Sequence, residues 1–260
     1  CRFSEELTEV EIRPGDYHFS EKLDADQLKD GWMPFGACET WGGRDRHFWF
    51  RTKVVIRKEW AGKEVRVTLN TGADDIWNTD NPQIMAYKNG ILSGTMDMNH
   101  QDLILAEEAE EAEVFELVFY AYSNSENPTN FFHLKAAVYD REIADLYYDL
   151  KVPFEAAELC SEEDLDRIEA MKFLNTAISG LDLRKPGSEE FYQSVREVRE
   201  YVKKNLPDIC RSSRVTVHSI GHTHIDVAWK WPLRQTRQKA VRSFQTVLNL
   251  MEQYLSLIHI

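Results

Sequence analysis

The sequence of residues 47–56 is HFWFRTKVVI, and most of these residues are aromatic or β-branched. Such residues favour a partly buried β-strand. Asn89-Gly90, further along the chain, is a dipeptide typical of a tight β-hairpin turn. Similar short runs separated by polar turns predict four more strands: Glu64–Leu69, Gln83–Tyr87, Val114–Tyr122 and Phe131–Tyr139. Several short strands with regular turns predict an antiparallel β-sandwich or jelly roll over residues 1–140.

Residues 141–210 follow a helical period instead. Apolar residues in Leu165–Ile178 recur at spacings of three and four, and Ser161 is placed to cap the start of this helix. A second helix is predicted to begin at Ser188 and to close at Leu206-Pro207. We therefore expect a helical connector after the sandwich.

Residues 211–254 change pattern again. Val215 and Val217 alternate with polar residues, as in a short strand, and the apolar residues of Ala240–Met251 return to helical spacing. Pro232 is placed to lie in the first turn of that helix. A strand, a polar loop and a helix in this order form the opening half of a βα unit.

A single βα unit cannot build a sheet, because its strand needs a partner strand. We therefore expect the natural chain to continue beyond this helix. The last residues, 255–260, have the sequence LSLIHI, which resembles the translation of an adapter used in sequencing libraries. We expect these residues to be a non-native tail.

The composition excludes several classes of protein. The chain has 31 Lys and Arg residues against 44 Asp and Glu residues, a net charge of −13, so we expect no nucleic-acid partner. No run approaches the roughly eighteen apolar residues of a membrane-spanning helix, so we expect no membrane partner. The cysteines lack CxxC spacing, which disfavours a thiolate zinc site and favours free thiols in the cytoplasm: Cys1, Cys38, Cys160 and Cys210.

Residues 221–229, with the sequence GHTHIDVAW, carry the strongest chemical pattern. In an extended chain the side chains of His222, His224 and Asp226 point to one face. Two imidazoles and a carboxylate there predict ligands for a divalent transition metal such as zinc. A polar strand end whose histidines only bind loop backbone is the simpler alternative, but the full HxHxD pattern favours the metal. The spacing does not name a reaction, because HxH also occurs in metal-dependent amidohydrolases and phosphoesterases.

The flanking residues narrow the choice. GHTHIDVAWKWP at residues 221–232, followed by the Arg-rich RQTRQKAVRSF, resembles the start of the catalytic domain of glycoside hydrolase family 38, the α-mannosidases, in its cytosolic and vacuolar branch. The strong resemblance covers about residues 214–254, and the loop Asp97–Gln101 resembles a sandwich loop of the family more weakly. The resemblance implies an α+β chain with a β-sandwich, a helical connector and then the first βα unit of a truncated α/β barrel.

The resemblance also implies residue roles. His224 and Asp226 would be metal ligands, with zinc as the cofactor and cobalt as an alternative. Trp229 would be the aromatic platform beside the bound sugar, since apolar sugar faces stack on such rings. His222 would brace the loop or lie near the metal without binding it, and Trp231 would pack in the core.

The implied function is a metal-dependent retaining α-mannosidase that hydrolyses the terminal α-mannosides of glycans. In the family the nucleophile, the acid/base and the other metal ligands follow this motif well downstream. No catalytic residue is therefore assigned in this chain, and we expect the 260 residues alone to be inactive. The expected partner is a mannose-containing oligosaccharide, and we expect a cytoplasmic protein that forms a homo-oligomer at full length.

Two other functions remain open at this point. One is another metal-dependent hydrolase that uses HxH, such as an amidohydrolase or a deacetylase. The other is a non-catalytic carbohydrate-binding module formed by the sandwich. That module would need some exposed aromatic rings among the tryptophans of residues 1–140: Trp32, Trp41, Trp49, Trp60 and Trp77.

Overall fold

The computed structural model describes most of the chain, in two compact units. The sandwich unit contains Cys1–Tyr139 and Gly221–Ile260, and the helical unit contains Asp140–Ile220. The described residues are 3–16, 22–24, 28–73, 81–209, 218, 224–229 and 231–254.

The sandwich unit is built from two antiparallel sheets. The first contains β1 (Ser4–Leu7), β5 (Val65–Asn70), β8 (Asp102–Ala106) and β10 (His133–Val138), in the order β1-β10-β5-β8. The second contains β2 (Glu11–Pro14), β3 (Met33–Pro34), β4 (Arg46–Val55), β6 (Gln83–Lys88), β7 (Ile91–Met96) and β9 (Val114–Ser123), in the order β3-β2-β4-β9-β6-β7. The expected antiparallel, sandwich-like architecture is confirmed.

Alternation along β4 explains why this strand holds the sandwich together. Phe50 and Val54 point into the core, whereas Val55 is exposed. The Phe50 ring is fully buried and stacks on Phe132, with ring centroids 3.7 Å apart. Opposite on β9, Phe119 pairs with Phe50 in register and lies in the same core. Burying several aromatic rings supplies much of the stability of such a core.

The predicted hairpin turn is confirmed between β6 and β7. Asn89 has φ 51° and Gly90 has φ 80°, the left-handed geometry that a tight hairpin turn requires. The Asn89 side chain also accepts a hydrogen bond of 2.9 Å from the backbone N–H of Glu116 on β9. The turn therefore fixes both the hairpin and its neighbour in the sheet.

The helical unit contains α1 (Arg141–Glu158), α2 (Leu165–Ser179) and α3 (Glu189–Ile209). The predicted end of the first apolar helix is confirmed, because Gly180 is the C-cap of α2. The helices share one core: Leu146, Phe173, Leu174, Ala177, Phe191, Val195, Val198 and Val202.

Two predicted helix boundaries are wrong. The side chain that caps α2 is Asp164, which accepts from the N–H of Asp166 at 2.9 Å, and not Ser161. Helix α3 continues through Pro207 to Ile209, past its predicted end at Leu206-Pro207. Pro207 lies in the last turn of α3. It lacks a backbone N–H and so removes one helical hydrogen bond there, but the helix continues to Ile209.

Helix α4 (Leu233–Gln253) belongs to the sandwich unit and confirms the predicted helix. Pro232 is its N-cap residue and so lies just before the first turn, not within it as predicted. The strand predicted around Val215 and Val217, and the tail 255–260, lie outside the described residues. The barrel is not confirmed: in the described part of residues 211–254, α4 is the one regular element. No helix of the described chain has the length and apolar character needed to cross a bilayer.

Candidate metal and sugar site

The two predicted metal ligands lie side by side in the segment just before α4. His224 Nε2 is 3.1 Å from Asp226 Oδ1, and the side chains expose 73% and 44% of their surface. The segment has no regular secondary structure, but alternate residues still point to one side. Both donor atoms are therefore convergent and accessible.

The pair fits the chemistry of zinc. Zinc binds imidazole nitrogen and carboxylate oxygen at about 2.0–2.2 Å, so two ligands of a tetrahedral ion lie about 3.3 Å apart. The observed 3.1 Å between His224 Nε2 and Asp226 Oδ1 is close to that spacing. Two ligands do not complete a site, and the described residues contain no group of three His, Cys, Asp or Glu that could hold a metal ion. His222 lies outside the described residues, so its predicted place near the metal stays a prediction.

The two tryptophans after the ligands differ in exposure. Trp229 exposes 62% of its surface, whereas Trp231 is partly buried. The rings meet edge to face, with centroids 6.2 Å apart. The Trp231 indole N–H donates to Thr236 Oγ1 at 3.3 Å, and Lys239 Nζ lies 3.8 Å from the Trp231 ring centroid. The Trp229 ring is thus accessible, and Trp231 is the more packed of the two rings; the sugar-binding role of Trp229 stays a prediction.

The first turns of α4 hold this segment. The Thr236 hydroxyl donates to the backbone oxygen of Val227, which lies between Asp226 and Trp229. Burial lowers the pKa of Lys239 to about 8, with a further contribution from Arg242, while Asp97 and Asp226 oppose that shift. The ammonium of Lys239 therefore interacts electrostatically with a predicted ligand.

A carboxylate of the sandwich lies behind α4. Asp97, just after β7, binds Arg242 Nη1 through Oδ2 at 2.9 Å and His100 Nδ1 through Oδ1 at 3.0 Å. Burial would raise the pKa of Asp97, but the His100 hydrogen bond and the Arg242 charge outweigh it and lower the pKa to about 2. The hydrogen bond to Asp97 raises the pKa of His100.

A second polar contact joins β4 and β9 to α4. The buried Tyr120 hydroxyl donates to Gln238 Oε1 at 2.6 Å, and His47 Nδ1 lies 2.6 Å from the same hydroxyl oxygen. Because the tyrosine proton goes to Gln238, His47 Nδ1 is the donor in its own contact. Burial raises the pKa of Tyr120 and lowers that of His47. Arg234, at the start of α4, binds Asp45.

Sequence analysis missed the roles of Asp97, Lys239 and Arg242. For Asp97, the one indication in the sequence was the weak resemblance of the loop Asp97–Gln101 to a loop of the family. For α4 the sign was a set of polar residues at helical spacing, all buried or partly buried in the structure: Gln235, Gln238, Lys239, Arg242, Thr246 and Asn249.

Residues 214–260 match the sequence model of the "Glycosyl hydrolases family 38 N-terminal domain". The chain is therefore similar to glycosyl hydrolase family 38 over these residues. It is 26% identical to alpha-mannosidase 2C1 of Mus musculus over 79% of this chain and 20% of that protein. It is 24% identical to alpha-mannosidase G of Dictyostelium discoideum over 96% of this chain and 23% of that protein. It is 25% identical to an alpha-mannosidase of Saccharomyces cerevisiae over 79% of this chain and 20% of that protein.

The chain thus spans about a fifth of the length of these family 38 relatives. The HxHxD segment lies inside the matched region 214–260. Among solved structures, a glycosyl hydrolase family 2 member from Bacteroides cellulosilyticus aligns with a TM-score of 0.36 and 14% identity. That alignment covers 53% of this chain and 21% of that chain, a likeness too low to assign a fold.

None of the four described tryptophans of residues 1–140 is exposed. Trp41, Trp49 and Trp60 are buried. Trp32 is partly buried, and the Arg51 guanidinium lies 4.5 Å from its ring centroid. Trp77 lies outside the described residues, so this conclusion concerns the other four.

Proposed function

We propose that the protein carrying these residues is a metal-dependent retaining α-mannosidase, and that residues 211–254 begin its catalytic α/β barrel. The observation that supports it most is the 3.1 Å approach of His224 Nε2 to Asp226 Oδ1 on an exposed segment. This segment lies within the region that matches family 38. The proposed substrate is a terminal α-mannoside of a glycan, and the proposed protein is cytoplasmic and homo-oligomeric.

In this proposal His224 and Asp226 hold a zinc ion, with cobalt as an alternative. His224 binds through the neutral lone pair of Nε2, so its proton resides on Nδ1, and Asp226 binds as the carboxylate through Oδ1. When bound, such an ion would supply Lewis-acid binding of sugar hydroxyls. His222 is proposed to brace the loop beside the two ligands.

Trp229 supplies the sugar platform. Its exposed indole presents an apolar face for the apolar face of a mannose ring. The partly buried Trp231 keeps Trp229 in place by edge-to-face contact. The platform and the ligands lie within the six residues 224–229, so they could contact the same sugar.

A retaining glycosidase uses two carboxyl groups about 5–5.5 Å apart, one as nucleophile and one as acid/base. The family resemblance assigns neither group to a residue of this chain, so retention is proposed from the family alone. On the same basis the 260 residues by themselves are expected to release no mannose from an aryl α-mannoside.

The test uses the full-length product of the gene that encodes these residues. Asp226→Asn and His224→Gln should each lower bound zinc and the hydrolysis of an aryl α-mannoside together, with activity falling more than about 100-fold. Zinc is measured by mass spectrometry of the purified protein. The matched control is His218→Gln, which removes an exposed imidazole six positions before His224 in the sequence and should leave zinc unchanged. Full zinc content in both ligand variants would refute the assignment.

A further inference from the structure

Helix α4 binds the outer side of the sandwich through polar groups. Thr246 Oγ1 lies 2.5 Å from Thr95 Oγ1, and Asn249 Nδ2 donates to the backbone oxygen of Ser93 at 3.1 Å, both on β7. Arg242 Nη1 donates to Asp97 Oδ2 at 2.9 Å, just beyond the end of β7. Hydrogen bonds are directional, so this set fixes both the position and the rotation of the helix.

Asp97 is an acceptor of this contact that its own loop holds in place. Its Oδ1 atom accepts from the backbone N–H groups of Asn99 and His100, each at 2.9 Å, and contacts His100 Nδ1 at 3.0 Å. These bonds come from its own loop and leave Oδ2 facing Arg242. The carboxylate is therefore oriented before α4 binds it.

Asp97 is the counter-charge for two cations of α4, Arg242 and Lys239. Arg242 is largely buried, and its Nε makes no hydrogen bond within the described chain. Lys239 is buried one turn earlier and interacts electrostatically with Asp97. Leaving such cations without a counter-charge is costly, because a buried charge loses its hydration.

Helix α4 in turn fixes the segment that carries the ligands. Thr236 binds the backbone oxygen of Val227 and accepts from the Trp231 indole at 3.3 Å. Lys239 Nζ packs 3.8 Å from the Trp231 ring centroid. A shift of α4 would therefore move the backbone between Asp226 and Trp229.

We propose that Asp97 is a positioning residue for the metal ligands: through Arg242 it holds α4 where Thr236 and Trp231 set the backbone of residues 224–229. This inference rests on the proposed function. It gives the sandwich a role in the catalytic site, as the support that keeps His224 and Asp226 convergent.

The test compares Asp97→Asn with wild type in the full-length gene product, by competition for zinc with a coloured chelator. Asp97→Asn should raise the zinc dissociation constant about 10-fold, the usual effect of removing a group that supports metal ligands. At saturating zinc, kcat should return close to the wild-type value. The matched control is Asp102→Asn, in the other sheet, where the carboxylate accepts from Thr68; it should bind zinc like wild type.

A second variant keeps the test informative if Asp97→Asn folds poorly. Asp97→Asn combined with Arg242→Gln removes the pair together, so no buried guanidinium remains without its partner. It should show the same loss of zinc affinity, about 10-fold. Wild-type zinc affinity in a folded variant of either kind would overturn the inference. A wild-type protein that binds no zinc would instead overturn the proposed function, and this inference with it.

Discussion

Replacing Asp97 with asparagine is expected to lower the free energy of unfolding of the sandwich unit by an amount that depends on pH. The groups that face Asp97 are Arg242, His100 and Lys239. His100 and Arg242 hold the pKa of Asp97 at about 2, below its usual 3.8. A carboxyl whose pKa is lowered by folding stabilises the fold above its unfolded pKa, and loses this effect as pH falls through the folded value.

The size of the effect follows from that difference. One pKa unit corresponds to about 1.4 kcal/mol, so a change from 3.8 to about 2 corresponds to about 2 kcal/mol above pH 5. Linkage predicts that about 1 kcal/mol of this is lost between pH 5 and pH 3. His100 keeps its proton over that range, because its pKa is raised above 6.5. The pH-dependent part of the stability difference between wild type and Asp97→Asn therefore reports the protonation of Asp97.

The assay is urea unfolding of the 260-residue chain at pH 5 and pH 3, followed by tryptophan fluorescence. All seven tryptophans lie in the sandwich unit, so the signal reports that unit alone: Trp32, Trp41, Trp49, Trp60, Trp77, Trp229 and Trp231. The difference in unfolding free energy between wild type and Asp97→Asn should be smaller at pH 3 by about 1 kcal/mol.

The matched control repeats the comparison in an Arg242→Gln background. Without the guanidinium, Asp97 has lost one of the groups that lower its pKa, so the pH-dependent part of the difference should shrink. An equal effect of Asp97→Asn at pH 5 and pH 3 in the wild-type background would refute the reasoning.

Three further features are tested by substitution. Phe50→Ala should lower the free energy of unfolding in urea by about 3–5 kcal/mol, because the ring is buried against Phe132. Val55→Ala, on the exposed side of the same strand, should lower it by less than about 1 kcal/mol. Equal effects of the two substitutions would contradict the strand register. Lys239→Met should stabilise the sandwich unit at pH 7 by about 1–3 kcal/mol, because burial lowers the lysine pKa to about 8. The advantage of the variant over wild type should shrink as pH rises from about 8 to 10.5, and an advantage that does not change with pH would count against this. Asp140→Ala removes the side chain that caps α1, which should destabilise the first turn of that helix by about 1 kcal/mol. Hydrogen exchange of the first-turn amides should become correspondingly faster, and unchanged exchange would exclude the capping role.

The main strands were predictable from local sequence to within two residues, because period and turn chemistry are local properties. The short strands were not. Ser4–Leu7 and Asp102–Ala106 carry little β-forming pattern, and each is a strand because a neighbour pairs with it: β10 for the first and β5 for the second. Tertiary pairing overrides weak local preference in such cases.

Helix boundaries failed for a related reason. Ser161 and Asp164 are both good N-cap residues, and sequence does not say which side chain reaches an amide of the first turn. Pro207 is a helix breaker, yet its position in a last turn makes its cost small enough for α3 to continue to Ile209.

Part of the candidate site was predictable from the sequence and part was not. The pairing of His224 with Asp226 was predictable, because residues two apart in an extended segment share a face. The contact of Asp97 with Arg242 joins residues 145 positions apart, and no local pattern connects them.

Helix α4 shows what periodicity does and does not predict. Its apolar spacing predicted a helix, yet Phe244 and Leu248 of that apolar set are exposed, and the polar residues Gln238 and Lys239 are buried against the sandwich. An apolar contact tolerates rotation of a helix, because dispersion and burial are not directional. A buried polar contact does not, because each misplaced donor or acceptor loses its partner. The polar face of α4 therefore sets the orientation of the helix that follows the segment of residues 224–229.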